Sequence, residues 1–459
     1  MKRYRFTIII LLISFIIFQC HGSQEKTDKE GLPDEVVETI EKSIAEGITP
    51  SIALAIIDSS GVNYYNFGKS ASHGKEVDEN TIYEIGSISK VFTGIILAKQ
   101  ILDGDLKIDD KINDLLPDSI NVPVMGDIEI TLGNLTDHTS GLPRMPDNFA
   151  PANPNNPYAD YTVEQMYEFI SNYHPIRVVG SEYEYSNLAQ GLLGHILAMN
   201  KNTTYEDLMV QTIANPLEMN ETRIVLTEKM KENLALGHSG GKVVENWDIP
   251  ILAGAGAIRS STADMAKFIS ANLGYVKTPL IEAMELSHKV RHNKAGEMSV
   301  AMAWHIKNGE DGDVIWHNGG TGGYHTFAGF VKETGKGVVL LSNSSTGIED
   351  IGFYLLDPGS ELASIKFKSD AVELPESTLE KYVGLYELQP EFKITITKKG
   401  TKLFGQATRQ PRFEIYPEND TLFFLTVVKA KIAFQLKNGA VESLTLFQGG
   451  QKISGKKIE

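Results

Sequence analysis

The feature that most constrains the fold is a pair of strand-rich regions separated by a long, mostly helical stretch. The segment 51–68 has the pattern of an apolar strand, a turn at 59–61 and a second strand. Residues 300–342 again have strand patterns separated by turns, whereas residues 87–285 are mostly helical in pattern. We therefore predict an α/β (α+β) domain, with an antiparallel sheet flanked by helices and an inserted all-helical lobe.

The N-terminus has the pattern of an export signal. Basic residues precede the apolar run 6–18, which is typical of a signal peptide covering 1–19 and is shorter than the roughly 20 residues of a spanning helix. Cys20, the only cysteine of the chain, follows at the position where bacterial lipoproteins carry a lipidated cysteine. We expect an exported, periplasmic or cell-envelope protein that contacts the membrane only through this lipid; cleavage after Gly22 is the alternative.

The rest of the chain divides into four parts. Residues 20–31 are polar and suit a tether, and residues 32–356 contain the predicted α/β domain. A linker is expected over 357–376, where the composition changes. Residues 377–459 form short alternating segments separated by turn residues, which predicts a small all-β barrel or sandwich.

Charge and composition exclude several classes of function. The formal net charge of −16 makes nucleic acid an unsuitable partner, because a phosphate backbone requires a positive surface. A hydrophobic content of 42% and a charged content of 22% are those of a soluble globular protein. A single cysteine excludes an internal disulfide bond.

The first candidate motif is Ser87 followed three residues later by Lys90, at the start of an apolar helix. The first turn of a helix stabilises negative charge on a serine oxygen or on an oxyanion. A lysine among apolar neighbours holds its proton less tightly and can act as a base near neutral pH. The same SxxK spacing occurs at Ser23, Ser72, Ser239 and Ser454, and a helix cap with a solvated lysine is the alternative interpretation.

Two further motifs contain groups that suit catalysis. Tyr185 and Asn187 precede a helix, where a tyrosine can relay a proton and an asparagine can orient a lysine and bind a substrate amide. His317 ends a predicted strand and is followed by a glycine-rich segment that allows a substrate to approach the backbone closely. Taken alone, the first of these motifs also fits a loop with a structural tyrosine at the start of a helix, and the second also fits a plain hairpin turn.

In this order, SISK, YSN and HNG resemble the motifs of the serine β-lactamase and penicillin-binding protein superfamily, nearest to its class C β-lactamase-related hydrolases. The segments 130–143, 215–223 and 255–269 also resemble that family, and the resemblance covers about 32–356. The C-terminal segment is similar to the lipocalin-like barrel appended to many of these hydrolases. The implied fold is the β-lactamase/transpeptidase fold.

The resemblance implies a role for each catalytic motif residue. It makes Ser87 the acylated nucleophile, Lys90 its base, Tyr185 the proton relay and Asn187 the orienting amide. It implies oxyanion donors from the backbone of Ser87 and Gly320.

The third motif departs from the pattern of relatives that hydrolyse penicillin. Those relatives carry KTG, whereas this chain has His317, Asn318 and Gly319, and we expect His317, Gly319 and Gly320 to bind substrate. A lysine is a permanent cation for a substrate carboxylate, whereas histidine is mostly neutral at pH 7. The departure favours D-amino-acid peptides, amides or small esters over β-lactams.

We therefore predict an exported serine hydrolase that acts through an acyl-serine intermediate on a small peptide, amide or ester, without a cofactor. The alternatives are a class C-like β-lactamase, a penicillin-binding sensor without turnover, and a protein whose function resides in a ligand bound by the barrel. The rate of deacylation distinguishes the enzyme from the sensor, because a sensor would keep a stable adduct and release no product.

Three other signals are set aside. The segment 237–241 matches GxSxG but lacks the strand before it and the helix after it that a nucleophile elbow needs. His288 and His292 are four residues apart on what we expect to be a solvated helix face, and we predict no metal site. His138 is expected to be a structural histidine.

Overall fold

The computed structural model describes residues 29–71, 74–293, 298–363, 367–389, 392–408, 410, 412–426, 430–448 and 451–458. The predicted signal peptide and Cys20 lie outside the described residues. Within these residues, no helix is both long enough and apolar enough to cross a bilayer.

The centre of the larger domain is one antiparallel sheet, built from eight strands of the described residues in the order β2-β1-β8-β7-β6-β5-β4-β3. The strands are β1 (Ser51–Asp58), β2 (Gly61–Gly68), β3 (His292–Asn293), β4 (Met298–Val300), β5 (His305–Asn308), β6 (Asp313–Gly320), β7 (His325–Val331) and β8 (Lys336–Ser342). Strand β1 pairs with both β2 and β8, with Leu54 opposite Tyr65 and Leu340. The sheet therefore joins the two ends of the domain, as the sequence predicted.

Most helices of the described residues pack on the two faces of this sheet or form the inserted lobe, whereas the last of them, Glu376–Leu379, contributes Leu379 to the core of the C-terminal barrel. They are α1 (Asp34–Ala45), α2 (Ser89–Leu102), α3 (Leu132–Thr136), α4 (Val163–Asn172), α5 (Asn187–Asn200), α6 (Tyr205–Met209), α7 (Glu228–Glu232), α8 (Ala253–Gly256), α9 (Thr262–Asn272), α10 (Ile281–Ser287), α11 (Glu349–Leu356) and α12 (Glu376–Leu379).

Strand β1 is apolar throughout because both of its faces are covered. Ala53, Ala55 and Ile57 pack into the large core that contains α2 and α9. Ile52 and Leu54 point to the other face and pack into the core that contains α1 and α11. A strand buried on both faces needs a continuous apolar run rather than an alternating one.

Helix α2 is buried along nearly its whole length. Its residues 89–98 are all inaccessible to solvent, and Phe92 stacks on Phe268 of α9 with ring centroids 4.3 Å apart. Lys90, the second residue of the helix, is 0% exposed. The helix therefore carries the lysine into the interior of the molecule.

The C-terminal part forms a closed barrel of eight strands within the described residues. They are β9 (Gly384–Gln389), β10 (Phe392–Lys399), β11 (Lys402–Ala407), β12 (Arg412–Pro417), β13 (Leu422–Phe424), β14 (Ala430–Lys437), β15 (Ala440–Gln448) and β16 (Gln451–Lys457). Tyr382, Tyr386, Phe423 and Phe434 lie in its buried cluster. Aromatic side chains therefore fill part of the barrel interior.

The two histidines at 288 and 292 are placed differently from the prediction. Helix α10 ends at Ser287, so the pair does not share a helix face. His288 is buried, and its Nε2 lies 2.9 Å from Oδ1 of Asn272. Because His292 belongs to β3, the expectation of a solvated helix face is wrong for both residues.

The GxSxG segment also has a simple structural explanation. Strands His238–Ser239 and Lys242–Val243 pair as a hairpin, and the two glycines of its turn have φ values of +56° and +75°. Glycine is the residue that adopts this left-handed region without strain.

Candidate active site

Ser87 lies in a tight 3₁₀ turn that joins the short strand Ile82–Glu84 to helix α2. The turn covers Gly86–Ile88 and begins at Gly86, whose φ of +51° favours glycine. A Cβ at Gly86 would lie 2.8 Å from the backbone nitrogen of Gly320, so the turn packs tightly against the end of β6. Ser87 itself is half-buried and reachable from the cleft.

Lys90 is fully buried, and its amine lies within hydrogen-bond distance of the serine hydroxyl. The distance from Nζ to Oγ of Ser87 is 3.0 Å, and Nζ donates a 2.6 Å hydrogen bond to the carbonyl oxygen of Ala255. Burial, and secondarily the positive charge of Arg144, hold the pKa of Lys90 well below its ordinary value. An unprotonated amine keeps one lone pair with which to accept the serine proton.

Tyr185 lies beside this pair, from the loop that precedes α5. Its ring centroid is 4.8 Å from Nζ of Lys90, and its hydroxyl interacts with the hydroxyl of Ser87. Burial raises the pKa of Tyr185 to about 12, although Ser87 and Arg144 act in the opposite direction. At neutral pH the phenol is therefore protonated and can donate a proton.

Three buried histidines surround Tyr185. The ring centroid of His138 lies 4.7 Å from that of Tyr185, and the rings of His305 and His317 are 4.7 Å apart. Burial is the main cause that lowers the pKa of His138 and of His317 far below the ordinary histidine value. His138 Nδ1 accepts a 3.1 Å hydrogen bond from the backbone N–H of Ser186.

His317 and Gly319 differ from the prediction that they bind substrate. His317 is 0% exposed, and its Nδ1 lies 2.6 Å from the carbonyl oxygen of Asn318. Gly319 is also buried, and a Cβ there would overlap the carbonyl oxygen of Ile85. Both residues are therefore buried and do not line the cleft in this structure, whereas Gly320 lines it.

Asn187 lines the same cleft but does not hold the lysine in the way we expected. Its Nδ2 lies 3.7 Å from the sulfur of Met145, and the carbonyl oxygen of Ala255 is the second partner of the lysine amine. The space open beside the serine is narrow, about 30 Å³. The cleft is lined by Gly86, Ser87, Tyr158, Asn187, Trp247, Ile249, Leu252, Ala255, Gly256, Gly320 and Thr321.

An aromatic pair forms one wall of the cleft. The ring centroids of Tyr158 and Trp247 are 5.3 Å apart. The loops that carry them are joined because Asn156 Nδ2 donates to Oδ2 of Asp248 at 2.9 Å, and the Asp248 N–H donates to Oδ1 of Asn156 at 2.8 Å. The wall is thus assembled from two segments that are far apart in the sequence.

Sequence reasoning did not identify several of these residues. Ala255, Tyr158, Trp247 and Arg144 have no motif of their own. Their positions in the sequence could have pointed to two of them. Ala255 is the first residue of the segment 255–269, which resembles the family, and Arg144 directly follows the segment 130–143, which does so too. His138 was expected to be structural, but its ring also stacks on Tyr185.

Family models match both domains. A model described as Beta-lactamase matches residues 36–353. The chain belongs to the beta-lactamase family. A second model, described as a domain of unknown function (DUF3471), matches residues 368–457, which contain the barrel. The resemblance to the serine β-lactamase and penicillin-binding protein superfamily is confirmed, and the chain is a hydrolase of this family.

Named relatives within this family differ in activity. A beta-lactamase of Pseudomonas fluorescens is 26% identical over 67% of this chain and 92% of its own length. A penicillin-binding protein of Bacillus subtilis (strain 168) is 27% identical, over 85% of this chain and 90% of its own length. The D-alanyl-D-alanine-carboxypeptidase/endopeptidase AmpH of Escherichia coli (strain K12) is 25% identical, over 72% and 91%.

Solved structures confirm the predicted fold. A class C beta-lactamase superposes with a TM-score of 0.61 at 22% identity, covering 71% of this chain and 93% of its own. The Yersinia pestis beta-lactamase/D-alanine carboxypeptidase gives a TM-score of 0.61 at 23% identity, over 68% and 92%.

Proposed function

We propose that this protein is an exported serine hydrolase that acylates Ser87 and releases the acyl group to water. The observation that carries the proposal is the amine of Lys90, which is fully buried, has a strongly lowered pKa and lies 3.0 Å from the Ser87 hydroxyl. A base of this kind activates a serine without a metal or cofactor.

Each step of the proposed reaction uses a group described above. Lys90 accepts the proton of Ser87 as Oγ attacks the substrate carbonyl carbon. The backbone N–H groups of Ser87 and Gly320 donate to the resulting oxyanion. Tyr185, protonated at neutral pH, gives a proton to the departing nitrogen or oxygen and is reprotonated from Lys90. Water then attacks the acyl carbon and gives a proton to Lys90, which passes it to Oγ of Ser87 as the bond between the acyl carbon and Oγ breaks and the acid is released.

We propose D-amino-acid peptides as the leading substrates, with small esters or amides next. The names of the Bacillus subtilis penicillin-binding protein and of AmpH support this choice. Asn187 lines the cleft and is proposed to bind the substrate amide. We propose that the partners are small molecules rather than nucleic acid, given the net charge of −16.

A class C-like β-lactamase is the second candidate, because several relatives are named beta-lactamase. A sensor that is acylated without turnover is the third. A panel of D-alanyl peptides, nitrophenyl esters and a chromogenic cephalosporin ranks the three. A dominant cephalosporin rate favours the β-lactamase, and a stable adduct without product on any substrate favours the sensor.

The nucleophile is tested by labelling. The purified protein is incubated with a fluorescent penicillin or a fluorophosphonate, and the adduct is located by peptide mass. We expect one adduct on the peptide containing Ser87 and none in Ser87→Ala. The neighbouring variant Ser89→Ala is the matched control, because Ser89 is buried and faces the backbone N–H of Ile258. Labelling that survives in Ser87→Ala would refute the proposal.

Export and lipidation are proposed from the sequence alone. The apolar run 6–18 followed by Cys20 supports them. Labelling cells with a fatty-acid analogue should mark the wild type and not Cys20→Ala. Release of an unlabelled, soluble wild-type protein cleaved after Gly22 would contradict lipidation and leave export intact.

A further inference from the structure

Arg144 is an exposed cation at the candidate active site that has no anionic partner. Among the described residues, no hydrogen bond or ion pair of its guanidinium is present, and its side chain is exposed. By contrast, Arg177 pairs with Glu184 and Arg291 pairs with Asp137. In a chain with 59 acidic residues, an arginine without a carboxylate beside a catalytic serine is unusual.

The backbone fixes this arginine beside the catalytic tyrosine. The carbonyl oxygen of Arg144 accepts hydrogen bonds from the N–H groups of Asn187, at 3.0 Å, and Leu188, at 3.4 Å. The preceding carbonyl, that of Pro143, accepts a 2.7 Å hydrogen bond from Ser186 Oγ. The loop is thereby attached to the start of helix α5. It is not a freely moving surface segment.

The guanidinium itself lies over the ring of Tyr185. Its central carbon is 5.0 Å from the ring centroid, within the range of a cation–π contact. The charge acts on the site, since Arg144 contributes to the lowered pKa values of Lys90 and His138 and opposes the raised pKa of Tyr185. The guanidinium of Arg144 is thus close enough to contact a substrate bound at Ser87.

The other candidate cations of the site are unsuited to binding an anion. Lys90 is 0% exposed and is occupied by Ser87 and Ala255. His317, which replaces the lysine of the third motif, is also 0% exposed, and burial favours its neutral form. A guanidinium is always charged and presents a planar fork of donors that matches a carboxylate.

We propose that Arg144 binds a carboxylate of the substrate and makes the enzyme selective for substrates that carry an anionic group close to the bond that is cleaved. This inference rests on the proposed acyl transfer at Ser87. The carboxylate belongs either to the acyl part or to the leaving group of the substrate, and the test distinguishes the two.

The test compares three ester probes: 4-nitrophenyl acetate, which is neutral; the mono-4-nitrophenyl ester of succinic acid, with a carboxylate on the acyl part; and 3-carboxy-4-nitrophenyl acetate, with a carboxylate on the leaving group. The measured quantity is the ratio of kcat/KM for an anionic ester to kcat/KM for the neutral ester. The ratio cancels any change in the reactivity of Ser87 that the lost charge causes through Lys90.

We expect Arg144→Gln to lower this ratio about 10- to 100-fold for one of the two anionic esters, which corresponds to the loss of hydrogen bonds to a charged group. Arg144→Lys, which keeps the charge without the fork, should give an intermediate ratio and serves if Arg144→Gln does not fold. Arg412→Gln is the matched control, because Arg412 is an exposed barrel arginine that also lies over an aromatic ring, that of Phe404 at 4.7 Å.

Unchanged ratios for both anionic esters in Arg144→Gln and Arg144→Lys would overturn the inference, as would an equal change in Arg412→Gln. Labelling of Ser87 by a neutral fluorophosphonate separates the two proposals. If Ser87 is labelled while the ratios stay unchanged, the serine mechanism stands and the role of Arg144 is rejected. If Ser87→Ala keeps its hydrolytic activity, the proposed function itself fails.

Discussion

The backbone carbonyl oxygen of Ala255 accepts a 2.6 Å hydrogen bond from the amine of Lys90. A neutral carbonyl satisfies one N–H of the buried amine without supplying the negative charge that would stabilise a protonated lysine. The amine can therefore have a hydrogen-bond partner inside the protein and still lose its proton easily. This explains how the chain tolerates a lysine in an otherwise apolar, fully buried helix.

The first prediction concerns the base. We expect Lys90→Met to lower kcat/KM by about 10²- to 10⁴-fold, the usual contribution of a positioned general base. The apolar chain of methionine fills similar space, and the unpaired Ala255 oxygen costs about 1–3 kcal/mol. Urea unfolding and steady-state kinetics on the same samples test this. A variant that stays folded and keeps a tenth or more of the activity would show that Lys90 is not the base.

The second prediction concerns pH. Because Lys90 must be unprotonated to accept the serine proton, kcat/KM should rise with pH through its pKa, well below the ordinary value of 10.5. Removing the charge of Arg144 takes away one cause of this lowering, so Arg144→Gln should move the rise to higher pH. Arg412→Gln should not move it.

The same profile should show no decline that belongs to Tyr185 until the pH approaches its pKa of about 12. The free energy of unfolding should also rise with pH, as kcat/KM does. Between the folded and unfolded pKa values of Lys90 the unfolded chain binds one more proton, so stability should increase with pH in that window. A pH–rate profile that is identical in wild type and Arg144→Gln would contradict the coupling.

The third prediction concerns the contact between the nucleophile turn and the sheet. A Cβ at Gly319 would overlap the carbonyl oxygen of Ile85 and the hydroxyl of Thr326. We expect Gly319→Ala to destabilise the fold by about 1–3 kcal/mol and to slow acylation of Ser87, because the turn must move away from the strand. Thermal unfolding and the rate of fluorophosphonate labelling measure the two effects.

Gly405→Ala is the control for that prediction. Gly405 is also a buried strand glycine, but a Cβ there would lie 3.5 Å or more from its neighbours, which is ordinary contact. We expect normal labelling and little loss of stability. If both alanine variants label Ser87 at the wild-type rate, the tight contact has no part in positioning the serine.

The fourth prediction concerns the aromatic wall. Oε1 of the buried Glu84 accepts 2.9 Å hydrogen bonds from the N–H of Trp247 and from Nδ2 of Asn246, and it lies 3.4 Å from the guanidinium of Arg259. Glu84→Gln removes the negative charge that these three groups contact. We expect a loss of about 2–3 kcal/mol in unfolding free energy, the value of hydrogen bonds to a charged group.

Asp248→Asn is the matched variant, since Asp248 also pairs with Arg259, its side chain is 66% exposed, and an asparagine keeps an oxygen that can accept the hydrogen bond from Asn156. A surface pair of this kind contributes about 0–1 kcal/mol. Urea denaturation distinguishes the two changes, and KM for a peptide substrate reports on the position of Trp247. Equal losses in both variants would show that the buried network has no special role.

Much of the candidate site follows from local sequence. Ser87 and Lys90 are three residues apart on one turn of the chain, Tyr185 lies just before the helix that the sequence predicted, and Asn187 is the first residue of that helix. Short-range spacing of this kind is set by backbone geometry and survives in any fold that forms the helix. The sheet was also predictable, because β1 and β8 are too apolar to lie anywhere except between two layers.

The chain by itself therefore determined the class of fold, the family motifs and the pairing of serine with lysine. Only the tertiary structure decided which distant groups complete the site: the carbonyl of Ala255, 165 residues beyond Lys90, the guanidinium of Arg144 over Tyr185, and the burial of His317. A backbone carbonyl has no signal in a sequence, and the exposure of a side chain depends on what packs around it. Those properties exist only once the chain has folded back on itself.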